Sequence, residues 1–96
     1  MSSKYTKDLA SILQMLKNIE EDLNLINYSE TEKKIYYTIA CKNSDNLTCR
    51  ISDVINESGF SRSTVYKTIK KFEDADLIRM YQSSVDKREI NLVLVH

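Results

Sequence analysis

The sequence predicts a mainly α-helical chain with a small antiparallel β wing, an α+β class, and three observations predict it. The segment Ser61–Phe72, SRSTVYKTIKKF, spaces Val65, Ile69 and Phe72 at i, i+4 and i+7, the period of one buried helical stripe. The rest of that segment carries Arg62, Lys67, Lys70 and Lys71 and no acid, so its formal charge is +4. Two β-patterned runs follow, Leu77–Tyr81 and Arg88–Val95, around a polar tip at 82–87. From Arg50 to His96 the order is helix, tight turn, basic helix, strand, charged tip, strand. That order is a winged helix-turn-helix, and a helix apolar on one side and cationic on the others suits a DNA major groove.

Length and composition bound the rest. Ninety-six residues make one globular unit, divided here into an N-terminal helix at 1–28 and a winged-helix domain at 29–96. A chain this short buries a modest share of its surface, so association with a second copy would add stability. No run approaches about 18 apolar residues, and MSSKYTKDLASILQ lacks the apolar stretch and cleavage site of a signal peptide; a cytoplasmic location without membrane insertion is expected. Net charge is zero, with six basic and seven acidic residues in 1–47 and eight basic and seven acidic in 48–96. The cationic excess is therefore local, in one helix and in Lys87-Arg88. Cys41 and Cys49 flank a seven-residue segment. They are candidates for a disulfide within or between chains, or for free thiols, according to the redox compartment.

The first helix is expected over 4–26. Tyr5, Leu9, Ile12, Leu16, Ile19, Leu23 and Ile26 alternate spacings of four and three, an a/d seam about 33 Å long. Such a helix packs either on its own domain or on a second chain. The second reading is preferred, because a winged-helix core needs only the three helices found downstream. Ser29-Glu30-Thr31-Glu32 is a capping box opening a helix to about Lys42, with Ile35, Ile39 and Tyr36 inward. A polar loop at 42–46 and a short strand at 47–49 follow. The helix from Arg50 to Ser58 has Ile51, Val54 and Ile55 as its apolar face; Gly59 ends it, Phe60 is the buried turn residue, and Ser61 caps the next helix, which ends near Ala75. In the last strand Ile90, Leu92 and Leu94 share one face and Val93 and Val95 the other.

These residues carry a family resemblance. The opening SETEKKI, the run GFSRSTVYKTIKKFEDADLI and the wing Asp86-Lys87-Arg88 resemble MarR-like winged-helix transcriptional regulators over about 29–95. The chain is also similar, in size and style, to small winged-helix proteins of crenarchaeal viruses, which would place it in the host-cell cytoplasm. The resemblance implies a regulator that binds double-stranded DNA; with the N-terminal seam pairing two copies, a homodimer on an inverted-repeat operator is expected, and no cofactor is expected. The resemblance also implies that Asp86 orients Arg88. Two departures stand out. Asp76 replaces the glycine usual before the wing, and aspartate tolerates the left-handed turn needed there. The family's C-terminal dimerisation helix has no counterpart before His96, which leaves the N-terminal seam as the expected interface and puts the usual ligand pocket in doubt.

The expected DNA-binding residues are Arg62, Ser63, Tyr66 and Lys67 at base edges, with Ser61 and Thr64 at phosphates near the helix N-terminus. Lys70 and Lys71 are expected at backbone phosphates, Lys87 and Arg88 at the minor groove, and Arg50 at a phosphate. The competing reading of each is a solvated charged surface. Catalysis is not expected. The single histidine is terminal, and no triad, phosphate loop, paired-carboxylate set or zinc ligand set is present. The alternative function is a winged helix used for protein contacts in a transcription or assembly complex.

Overall fold

The computed structural model describes residues 3–44, 48–83 and 88–95. Four helices, α1 (Ser3–Asp22), α2 (Glu30–Ser44), α3 (Ile51–Ser58) and α4 (Arg62–Asp74), combine with strands β1 (Cys49–Arg50), β2 (Ile78–Gln82) and β3 (Ile90–Leu94). The sheet order is β1-β3-β2, all antiparallel, with Ile78 opposite Leu94, Met80 opposite Leu92 and Cys49 also opposite Leu92. Leu92 thus lies at the centre of the sheet and is fully buried. Asp86 and Lys87 of the expected wing tip, Leu47 of the expected first strand, and His96 lie outside the described residues.

The core forms where α2, α3 and α4 meet the sheet. Ile35, Tyr36 and Ile39 of α2, Val54 of α3, and Val65, Ile69 and Phe72 of α4 are buried together with Leu25, Ile78 and Leu92. Phe72 is the centre of an aromatic group. Its ring meets Tyr28 edge-on at 5.3 Å and Tyr36 at 5.7 Å, the T-shaped arrangement that ring quadrupoles favour.

Local signals hold the element ends. The Ser29 amide donates to Glu32 Oε1 at 2.8 Å and the Glu32 amide to Ser29 Oγ at 3.1 Å, a complete capping box. Gly59 takes φ 78°, and its N–H closes α3 on the Ile55 carbonyl at 3.3 Å. Ser61 Oγ accepts from the Thr64 amide at 3.3 Å and caps α4. Asp76 adopts φ 60°, so aspartate does supply the left-handed turn before the wing. Phe60 is only half-buried, with Lys34 Nζ 5.4 Å from its ring centroid.

Two expectations are corrected. The first helix does not run unbroken through the seam: α1 stops at Asp22, Asn24 turns left-handed at φ 59°, and Leu25–Asn27 form one 3-10 turn. Asparagine accepts that conformation cheaply, and the turn swings Leu25 to complete burial while Leu23 packs beside it. Leu23 and Ile26 therefore leave the helical seam. Secondly, α2 continues to Ser44, into the first part of the expected loop, where Asn43 binds the sheet: its Nδ2 donates to the Leu92 carbonyl at 3.3 Å, and its Oδ1 accepts from the Leu94 amide at 2.9 Å. Of the alternatives left open for the two cysteines, a disulfide within the chain is not formed: both thiols are free. Cys41 faces solvent while Cys49 sits in the core, its thiol pushed up to about 11 by burial and then by the Asp53 charge.

Two outcomes follow from this packing. Phe72→Ala should lower the unfolding free energy by about 3–5 kcal/mol, read as a lower urea midpoint with an unchanged slope. Brief alkylation of native protein near neutral pH should label Cys41 alone, with Cys49 reacting only after denaturation. Equal labelling of both thiols in the native protein would contradict the enclosed position of Cys49.

Candidate nucleic-acid interface

The buried stripe of α4 decides what its other faces present. With Val65, Thr68, Ile69 and Phe72 turned inward, Arg62, Ser63, Tyr66, Lys67, Lys70 and Lys71 are all exposed, and Thr64 is half-buried. At the leading end Ser61 Oγ lies 2.9 Å from Thr64 Oγ1 and 3.3 Å from Ser63 Oγ, so three hydroxyls cluster beside the free amides of the first turn. Arg62 leads the helix, and Tyr66 and Lys67 follow one turn on.

The charges of α4 are not equivalent. Lys70 Nζ lies 3.4 Å from both Glu73 and Asp74, and the hydrogen bond to Asp74 raises its pKa. Lys71 Nζ pairs with Glu32 Oε2 at 2.9 Å and sits 5.0 Å from the Tyr28 ring centroid. Glu32 is correspondingly held below the usual carboxylate range by the hydrogen bond from Lys71 and then by the Ser29 amide. Arg62 and Lys67 form no ion pair with another described residue. The uncompensated positive charge of the helix therefore lies in its leading half. Glu73 and Asp74 fall just past the acid-free window, and Glu32 is 39 positions from Lys71. The neutralisation of the trailing half is thus a product of helix geometry and of tertiary packing.

The base of the wing faces the same end. Arg88, Glu89 and Ile90 line a cleft of about 100 Å³ together with Arg50, Ile51, Ser52, Arg62 and Tyr66. The expected cations Arg50, Arg62 and Arg88 are therefore brought together. Arg50, however, does not extend freely as a phosphate contact: its guanidinium is held by Asp53, at 3.3 Å, and by Glu89, at 2.9 Å. Sequence reasoning missed Asp53 and Glu89 because both acids read as ordinary solvated charges. The Asp53 spacing of three from Arg50, at a helix start, was the one available signal. Among the described residues, no group of three or more His, Cys, Asp or Glu side chains has an arrangement that would hold a metal ion. No described helix is long and apolar enough to cross a membrane.

The apolar face of α1 stands apart from this end. Tyr5, Leu9, Ile12, Leu13, Met15 and Ile19 are between 49% and 71% exposed, while Leu16 is half-buried. The helix is tied to the domain near its C-terminal end, where Glu20 accepts a short hydrogen bond from the Tyr37 hydroxyl and lies 3.5 Å from Lys33 Nζ. Its projection stretches the molecule to 51 Å along one axis against 24 Å across.

The sequence matches no protein-family model and no curated protein. Solved structures do match. The heme sensor protein PefR from Streptococcus agalactiae, in complex with heme, superposes with a TM-score of 0.64 at 18% identity, over 100% of this chain and 66% of that one. The MepR–DNA complex from S. aureus gives 0.61 at 18% identity, over 98% and 72%. The adhesin competence repressor AdcR from Streptococcus pyogenes gives 0.59 at 16% identity, over 100% and 64%. The chain thus spans about two thirds of the length of most of these proteins. What it has in common with them is architecture, a winged helix-turn-helix.

Proposed function

We propose that this protein is a homodimeric, sequence-specific regulator that binds double-stranded DNA, with α4 in the major groove and the wing at the adjacent minor groove. The observation that carries this reading is the uncompensated leading half of α4, where Arg62, Ser63, Tyr66 and Lys67 stand exposed beside the hydroxyl cluster of Ser61 and Thr64. In helix-turn-helix proteins this end of the recognition helix is the part that reaches base edges. Arg62 has the planar fork that suits guanine, Tyr66 can pack on a thymine methyl, and Ser61, Ser63 and Thr64 suit phosphate oxygens. Lys70 and Lys71 would meet phosphates only by exchanging an existing carboxylate partner. Their contribution is accordingly weaker than their charge suggests, while Lys87 and Arg88 serve the minor groove.

The second copy would lie on α1. A stripe of six large apolar side chains, each about half exposed or more, is more than an isolated chain normally leaves in water. Because most of that stripe takes no part in the domain core, it can be changed without unfolding the monomer. The double variant Leu9→Glu, Ile12→Glu should remain folded by circular dichroism and sediment as a monomer at micromolar concentration, where the wild type sediments as a dimer. A monomeric wild type under those conditions would sink the dimer.

A two-fold dimer would bind an inverted repeat with half-sites about 34–36 Å apart, one turn of the double helix. The function is tested on a site selected from random DNA and on its scrambled counterpart, with salt titration. Specific and nonspecific affinity should both fall steeply with salt. Arg62→Ala should cost about 1–3 kcal/mol of discrimination at one or two base positions. Lys70→Ala should weaken the selected and scrambled sites by the same small factor. Equal weakening of both sites by Arg62→Ala would assign Arg62 to a phosphate instead of a base.

A further inference from the structure

We propose that Asp53 and Glu89 clamp Arg50 into a brace that sets the wing against the recognition helix, making the acid Glu89 a positioning residue for DNA binding. The inference rests on the DNA-binding reading above and adds to it a residue whose charge has the wrong sign for a contact.

Three parts of the fold meet at Arg50. It is the second residue of β1, opposite Asn91 of β3, and it is also the residue that precedes α3. Asp53 grips it from within α3: Oδ2 accepts from the Arg50 amide at 3.1 Å and from Nε at 3.3 Å, and Oδ1 accepts from Nη2 at 3.3 Å. Nη1 then reaches across to Glu89 Oε1 at 2.9 Å, over 39 positions of sequence. Glu89 is in turn anchored in the wing, since its carbonyl accepts from the Ser83 amide at 3.0 Å and closes the two arms just beyond the last strand pair. Carboxylate, guanidinium and carboxylate therefore join the start of α3 to the root of the wing. α3 in turn packs on α4.

The position of this bridge matters more than its strength. Arg50 and Glu89 line the same cleft as Arg62 and Tyr66 of the leading end of α4. β1 supports β3 only as far as Arg50 opposite Asn91, and beyond that pair the wing root is a two-stranded hairpin, which its own ladder orders only marginally. Ordering it on DNA would cost affinity, and a wing already held at one angle avoids that cost. The planar, five-donor guanidinium of Arg50 can satisfy two carboxylates at once, which a lysine cannot do with the same geometry. The arrangement also places a carboxylate beside Arg62 and Arg88 on a surface meant for a polyanion. Glu89 opposes DNA by charge and favours it only through the brace.

That opposition makes the test one of sign. Glu89→Gln removes one negative charge and leaves the side-chain shape. By charge alone it should tighten binding to every DNA sequence, most strongly at low salt. As a brace it should weaken binding to the selected site by about three- to tenfold, leave scrambled DNA unchanged or bound more tightly, and lose its effect in an Arg50→Gln background. Hydrogen exchange of the full-length protein without DNA supplies an independent readout: the Ser83 amide should exchange faster in Glu89→Gln, with the global unfolding midpoint unchanged. Tighter binding to both DNAs, or an unaltered Ser83 exchange rate, overturns the brace. If the wild type discriminates no DNA at all, the DNA-binding reading falls and the role of Glu89 in binding falls with it. The Ser83 exchange rate then still shows separately whether Arg50 holds the wing.

Discussion

The burial of Phe72 is the constraint from which the rest of the structure follows. Its ring is enclosed by Tyr28 from the segment after the first turn and by Tyr36 from α2. It therefore locks α4 in rotation against the body of the domain. A helix that must bury Val65, Ile69 and Phe72 has no freedom over which side chains it shows to solvent. The exposure of Arg62, Tyr66 and Lys67 is thus a consequence of core packing, about 100° of helix per residue away from the buried stripe. The same aromatic group draws Tyr28 under Lys71, which helps explain why that lysine is engaged and Lys67 is not.

Electrostatics then grades the helix from end to end. All four cations of the segment are exposed, yet the two at its trailing end already have carboxylate partners. Ion pairs between exposed side chains contribute little to stability, typically below about 1 kcal/mol, so their larger effect here is on the field. They leave the positive potential at the helix start, where the first-turn amides and three hydroxyls also point outward. The wing root brings Arg88 to the same cleft, which the Arg50–Glu89 ion pair also lines.

The N-terminal helix follows a different rule. Most of its apolar side chains stand exposed, and Glu20, with Tyr37 and Lys33, ties its C-terminal end down before the chain turns at Asn24. Burial, and then the hydrogen bond to Glu20, raises the Tyr37 pKa, so this tyrosine stays a donor throughout the ordinary pH range. The angle of α1 would set the separation of two recognition helices in a dimer. This small polar clasp lies at the junction where that angle is decided.

Much of this was legible in the sequence. The capping box at Ser29, the left-handed stops at Gly59 and Asp76, the buried stripe of α4 and the alternation of β3 all appear where local pattern places them. Each depends on neighbours within a few residues, and local propensity acts at that range. What the sequence could not decide depended on contacts made across the chain. Leu25 lies off the apolar seam of the first helix, and only the turn at Asn24 carries it into the core. Asn43 looks like a loop residue until its amide meets β3. Lys71 and Arg50 look like free cations until Glu32 and Glu89, each 39 positions away, take their charge. A side chain's identity and spacing determine which helix face it occupies, whereas the partner that meets it there is chosen by the packing of distant elements.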